Sequence, residues 1–83
     1  MKTRRLTDRQ LSALMRISRS AMKSEPIGRD VFRQLLRRGL VLDTMQVWER
    51  EEWGKVIARL PVAALTAAGE AAIEANTGRR RTT

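Results

Sequence analysis

The chain has 83 residues and a net charge of +8, and it contains neither cysteine nor histidine. We therefore expect one domain with a single modest core, without disulfide bonds, thiolate chemistry or the commonest general base and zinc ligand. The acidic residues show no calcium-loop spacing, and the glycines form no nucleotide-binding motif. The composition predicts that the protein is not an enzyme and uses no metal or other cofactor.

The positive charge is unevenly distributed along the chain. Residues 1–40 contain eleven Lys and Arg against three Asp and Glu, a net charge of +8, whereas residues 41–76 contain three against six. Residues 77–83 add three arginines. This uneven charge distribution favours binding to a polyanion through one face, although an acidic protein or a membrane surface could bind the same face.

No apolar run has membrane-spanning length and the N-terminus lacks the apolar core of a secretory signal, so we expect a cytoplasmic protein.

The first helix is predicted from about Asp8 to about Ala21, after a basic arm at residues 1–5. Thr7 and Gln10 have the spacing of a capping box, which would start this helix. An apolar stripe is expected to pack into the core, and its members include Leu11, Leu14, Met15 and Met22. Four basic residues lie on the opposite side, namely Arg9, Arg16, Arg19 and Lys23.

The second helix, at residues 28–38, has an apolar and a basic half. One half holds Val31, Phe32, Leu35 and Leu36, and the other holds Arg29, Asp30, Arg33, Gln34, Arg37 and Arg38. Gly39 then stands where a residue with positive φ ends a helix. Arginine and glutamine can pair with base edges, and arginine also neutralises phosphate, so the basic half suits a DNA groove. A solvated basic surface is the alternative.

The segment after Leu42 is predicted to form an antiparallel hairpin. Its loop would span residues 49–55 with Gly54 in the turn, and its second strand would end or bulge at Pro61. A helix over residues 44–53 is the alternative. Residues 62–65 would then link to a last helix that Thr66 caps and that ends at residues 76–78, before a basic tail at 77–83.

Two motifs give the chain a resemblance to a known family. The first is LLRRGLV at residues 35–41, and the second is LTAAG at residues 65–69. The expected domain, residues 6–76, resembles over roughly Leu6 to Ala75 the winged helix-turn-helix domains of small bacterial and phage regulators related to the MarR group. In that family the recognition helix commonly ends in L-x-x-R-G-L-V, and the return strand of the wing runs into L-T-x-x-G.

The resemblance implies an α+β, winged-helix-like domain with two N-terminal helices, a β-hairpin wing and a short C-terminal helix. The function it implies is transcription regulation, with helix 28–38 in the major groove of double-stranded DNA. A homodimer is possible on this resemblance, although the chain lacks the long terminal helices by which many members of the family dimerise. The expected DNA-binding residues are Arg29, Arg33, Gln34, Arg37, Arg38, Arg9, Arg16 and Arg19.

Residues 49–52 of the predicted hairpin loop are net acidic, and this acidic loop supports a different function, a protein-interaction module such as a phage or plasmid factor that binds a host protein. Its contact residues would be Trp48, Glu51, Glu52 and Trp53, because tryptophan beside charge is typical of interfaces. Packing of both tryptophans into the core is the competing interpretation.

Overall fold

The computed structural model describes residues 5–81, with side chains described for residues 5–77. The elements in chain order are α1 (Asp8–Arg19), β1 (Ser24–Pro26), α2 (Arg29–Arg37), β2 (Val41–Glu52), β3 (Lys55–Leu65) and α3 (Ala67–Arg81). The three strands form one antiparallel sheet in the order β1-β3-β2. The α+β class is confirmed. Strand β1 was not predicted, so the order of helices and strands differs from the one expected.

The capping box at the start of α1 is confirmed. The hydroxyl oxygen of Thr7 accepts from the Gln10 N–H, and the side-chain oxygen of Gln10 accepts from the Thr7 N–H, both at 3.1 Å. The helix ends at Arg19, before the predicted residue, because Ser20 Oγ accepts from the Ser24 N–H and closes a turn into β1. The apolar stripe is therefore shorter than expected, and Met22 lies outside the helix with 83% of its surface exposed.

Helix α2 ends as its sequence predicted. Gly39 has a φ of +73°, and its N–H donates to the Leu36 carbonyl while the Leu40 N–H donates to the Leu35 carbonyl. This pair of bonds is the Schellman motif, which satisfies carbonyls that the helix end leaves open. Leu36 itself is exposed rather than in the core.

The core lies where the helices meet the base of the hairpin. Its fully buried large side chains come from α1, α2 and β2, namely Leu14, Ile17, Leu35 and Val41. Ala63 of β3 and Ile27, just before α2, are also buried there. The core thus positions α2 between α1 on one side and the hairpin on the other.

The hairpin is confirmed, and a helix over residues 44–53 is wrong. Its turn consists of Trp53 and Gly54 alone, both with positive φ, as in the two-residue turns that match the twist of paired strands. Residues 49–52, expected in a loop, belong to β2 and pair with β3. The prediction of an acidic loop is therefore wrong, because the tight turn leaves its glutamates in the ladder.

Pro61 does not end the second strand, which continues to Leu65 and includes the predicted link at residues 62–65. The alternative of a bulge is confirmed in position, because the register shifts beside Pro61: Asp43 pairs with Ala63 but Val47 pairs with Pro61, with the extra residues on β2. The extra residues in β2 are held by side chains. Asp43 Oδ1 accepts from the Met45 N–H, and Thr44 Oγ1 donates to the Val62 carbonyl.

Helix α3 runs to Arg81, past the predicted end at residues 76–78. The Asn76 amide donates to the Ala72 carbonyl and the Thr77 hydroxyl donates to the Ile73 carbonyl, so both side chains bond back along the helix instead of ending it. Most of the predicted basic arm and residues 82–83 of the predicted tail lie outside the described residues. Across the described part of the chain, each helix is too short or too polar to span a membrane.

Candidate nucleic-acid interface

The polar half of α2 is divided between two neighbours. On the flank toward α1, the Gln10 amide donates to Gln34 Oε1 at 2.8 Å, and Arg38 Nη1 donates to Gln10 Oε1 at 3.2 Å. Gln10 is buried, and its side chain joins the cap of α1 to Gln34 of α2 and to Arg38, which directly follows this helix. Gln34 and Arg38, both predicted to contact DNA, are thus engaged within the protein.

The other flank of α2 lines a groove of about 410 Å³ between this helix and the hairpin. Arg29 and Arg33 contribute its helical wall, together with Phe32. The strand wall consists of Val47, Arg59, Leu60 and Pro61. Arg29 and Arg33 are exposed, so their guanidinium groups can reach a ligand without losing a described ion pair.

Arg59 is a basic residue of this groove that sequence reasoning missed. Its Nε donates to Glu49 Oε2 at 2.6 Å, and the two residues are opposite each other in the ladder. The pair is exposed, so it contributes little stability and can be exchanged for another anion. Side chains alternate along a strand, so Arg59 lies on the same face of β3 as Pro61. This alternation in the sequence could have predicted that Arg59 lies beside α2.

Arg37, in the last turn of α2, is also exposed. It follows Arg33 by four residues, so the two side chains are neighbours on the helix surface. Arg29, Arg33 and Arg37 therefore form a row along the exposed side of α2. We call this row the α2 arginine row.

The arginines of α1 belong to a second area. Arg9 and Arg16 line a groove of about 470 Å³ between α1 and the start of α2, where Ile27 and Gly28 form the facing wall. Arg16 also lines a smaller groove of about 280 Å³ along α1 with Arg19. All three arginines are exposed. The predicted DNA-binding residues thus fall into the α2 arginine row, the α1 group and the two residues bound to Gln10.

The four residues proposed for protein interaction lie on the hairpin. Trp53 occupies the turn with 99% of its surface exposed, and Trp48 of β2 is 40% exposed. Packing of these tryptophans into the core is therefore wrong. Glu51 and Glu52 are also exposed, and Glu52 forms an ion pair with Arg50 at 3.5 Å.

Within residues 5–81, no three acidic side chains converge closely enough to hold a metal ion. Comparisons of the chain with protein-family models, with curated proteins and with solved structures find no match. The family resemblance consequently rests on the two motifs at residues 35–41 and 65–69.

Proposed function

We propose that this chain is a DNA-binding module, a small transcription regulator of bacterial or phage type that acts in the cytoplasm with a winged-helix-like domain. The observation that carries the proposal is the α2 arginine row, exposed on a helix whose opposite side anchors the core. A helix fixed in this way can enter a major groove without its own packing being disturbed. Arginine is also the residue that most often pairs with guanine.

The groove beside α2 supports the same function. A phosphate backbone that passes along α2 would lie within reach of Arg29 and Arg33, and Arg59 stands on the facing strand. Guanidinium groups on both walls suit bidentate contacts with phosphate oxygens. The α1 arginines would meet phosphates at the start of α2.

Gln34 and Arg38 have a supporting role in this proposal. Because Gln10 holds both side chains, their contribution is to fix the angle between α1 and α2. A DNA contact by either side chain would have to be made alongside its hydrogen bond with Gln10 or compete with that bond. We therefore place direct base contact on Arg33 and Arg37 and positioning on Gln34 and Arg38.

The direct test is a titration of a fluorescent duplex of mixed sequence with the purified chain at several salt concentrations. We expect binding at low salt, and the logarithm of the affinity should fall linearly with the logarithm of salt, by about 0.9 per phosphate neutralised. A single strand of the same length tests preference for the duplex. No binding at about 50 mM salt, where non-specific phosphate contacts are strong, would refute the proposal.

The exposed tryptophans favour a second candidate function, a protein-interaction module that binds through the hairpin. Trp48 and Trp53 would anchor the partner, with Glu51 and Glu52 at the rim of the contact. The two functions are distinguished by the surface that carries the activity. Replacement of the hairpin residues should abolish partner binding on this hypothesis and should leave duplex binding in place on the first.

A further inference from the structure

The outer part of the hairpin projects away from the rest of the molecule. We call residues 45–60 the hairpin arm. The described chain measures 51 × 25 × 20 Å, and the hairpin residues that pack in the core lie at its base, namely Val41, Ala63 and Leu65. A two-stranded ribbon is marginally stable in water unless something covers one of its faces. The arm is therefore expected to have a partner.

The arm carries most of the exposed apolar surface of the described chain. Six of the nine exposed large hydrophobic residues lie on it: Met45, Val47, Trp48, Trp53, Val56 and Ile57. These six residues lie within sixteen consecutive positions of the chain, and a concentration of exposed apolar residues on a small protein marks an interaction site. Burial of this surface would stabilise both the arm and the contact that covers it.

The charge of the arm indicates what that partner is. The arm contains three acidic residues (Glu49, Glu51, Glu52) and three basic residues (Arg50, Lys55, Arg59), so its net charge is zero while the remaining residues carry +8. Two ion pairs, Glu49 with Arg59 and Arg50 with Glu52, balance charge within the arm. DNA would favour a positively charged surface, and apart from Arg59, which lies beside α2, the arm does not offer one.

A second copy of the chain satisfies both the charge and the apolar surface. A two-fold contact brings the same patch of each copy together, so any net charge on the patch would repel itself. The arm is neutral and apolar, and two copies can meet there with their strongly basic parts held apart. Strand β2 also forms an edge of the described sheet, so its outer backbone groups can pair with another strand.

We propose that the hairpin arm is the interface of a homodimer, in which two copies of this chain cover each other's exposed arm residues about a two-fold axis. This inference does not depend on the function of the α2 arginine row. If the row binds DNA, the dimer presents two such helices to two half-sites of a symmetric target.

Sedimentation equilibrium of the full chain tests this interface with a triple variant, Trp53→Asn, Val56→Thr and Ile57→Thr. Asparagine suits the positive φ of the first turn residue better than tryptophan does, and threonine keeps the β-branched shape of valine and isoleucine. The variant therefore loses apolar surface without losing its strand and turn preferences. Circular dichroism should be unchanged.

At about 100 µM, a chain that dimerises with micromolar affinity is almost entirely dimeric. We therefore expect the parent to sediment with twice the chain mass of 9.5 kDa. The triple variant should have a dissociation constant at least about tenfold higher, as loss of an interface anchor causes. The control is Met22→Gln, which removes an apolar side chain that is 83% exposed from the loop after α1 and should leave the dimer intact.

A parent that is monomeric at this concentration would overturn the proposal, and so would a triple variant that dimerises like the parent. If the parent is monomeric and its arm residues are needed to bind a different protein, the arm is the binding surface for that protein and the homodimer proposal is wrong. A duplex that has room for only one copy of the chain, titrated with each protein, tests the proposed function independently of the dimer. The triple variant should bind that duplex like the parent even when the dimer no longer forms.

Discussion

Thr66 joins the start of α3 to the end of α2 through Gly39. The Thr66 hydroxyl donates to the Gly39 carbonyl at 2.8 Å and accepts from the Gly69 N–H at 2.9 Å, so one oxygen atom caps α3 and ties it to the chain after α2. The Thr66 N–H also donates to the Leu40 carbonyl. The two motifs at residues 35–41 and 65–69 are therefore in direct contact and act as one joint.

This joint predicts that Thr66→Ala destabilises the fold. The variant loses the cap of α3 and the bond to Gly39 together, so the free energy of unfolding should fall by about 1–2 kcal/mol. Urea denaturation followed by circular dichroism measures the change. Thr66→Ser keeps the hydroxyl and should retain most of the stability. Equal losses in the two variants would mean that the hydroxyl is not the stabilising group.

Gly39 and Gly69 are predicted to resist substitution for different physical reasons. A Cβ at Gly39 meets no atom within 4 Å, but φ is +73°, so Gly39→Val should cost about 1–2 kcal/mol through backbone strain. A Cβ at Gly69 would overlap the Leu40 carbonyl oxygen and lie 2.7 Å from Leu65 Cδ1. Gly69→Ala should therefore cost about 1–3 kcal/mol through overpacking.

Asparagine distinguishes the two mechanisms, because it tolerates positive φ but still carries a Cβ. Gly39→Asn should be clearly more stable than Gly39→Val in thermal unfolding. Gly69→Asn should be no more stable than Gly69→Ala. A Gly39→Val protein with the melting temperature of the parent would contradict the strain at the end of α2.

Gln10 is predicted to stabilise the packing of α1 against α2. Gln10→Leu removes the acceptor of the Thr7 N–H and the partner of Gln34 and Arg38, and should lower the free energy of unfolding by about 1–3 kcal/mol. Gln10→Glu is the control, since a carboxylate still accepts from Thr7 and Arg38 but cannot donate to Gln34. It should be more stable than Gln10→Leu, and the reverse order would argue against the bridge.

Local signals in the sequence predicted local structure well. The capping box of Thr7 and Gln10, the glycine after α2 and the turn at Gly54 each depend on residues within a few positions of one another. Contacts between distant residues were not predictable in this way. Gln10 could be assigned to its own cap but not to Gln34, which is 24 positions away. Strand β1 is only three residues long and forms because β3 pairs with it.

In the candidate site, too, local features were predictable from the sequence and contacts between distant residues were not. Helical periodicity placed the arginines of α2 on the polar side, but the neighbours that share this side are set by tertiary packing. Arg38 and Gln34 face α1, whereas Arg29 and Arg33 face the hairpin. Arg59 joined the site only when the register of β2 against β3 was known.

Arg33 and Arg37 are predicted to contribute to DNA affinity without holding the fold. Both are exposed, so the double variant Arg33→Ala and Arg37→Ala should keep the circular dichroism and melting temperature of the parent. Its affinity for a duplex should fall, and the salt slope should flatten by about one unit for each phosphate that is no longer neutralised. Arg50→Ala with Lys55→Ala removes as much charge from the hairpin arm and should have a smaller effect. Parental binding by the first double variant would exclude α2 from the interface.

The final prediction concerns Glu51 and Glu52, exposed at the end of β2. Replacement of both by lysine changes the charge of the hairpin arm by four units, from zero to +4. If the α2 arginine row binds DNA, non-specific duplex affinity should rise, most at low salt where charges are least screened. If the arm instead recognises a protein through its acidic residues, partner binding should be abolished, because reversed charge opposite a complementary patch is costly.

The same substitution tests the dimer, since two arms of charge +4 would repel across a two-fold axis. Sedimentation equilibrium should show weaker association of the Glu51→Lys, Glu52→Lys chain, with recovery in high salt as the repulsion is screened. The control compares two single variants, Glu51→Lys in the arm and Glu74→Lys on α3. Both change the charge by the same amount, and Glu74→Lys should weaken dimer formation less than Glu51→Lys does. A dimer equally stable in the double variant and in the parent at low salt would place the contact away from these glutamates.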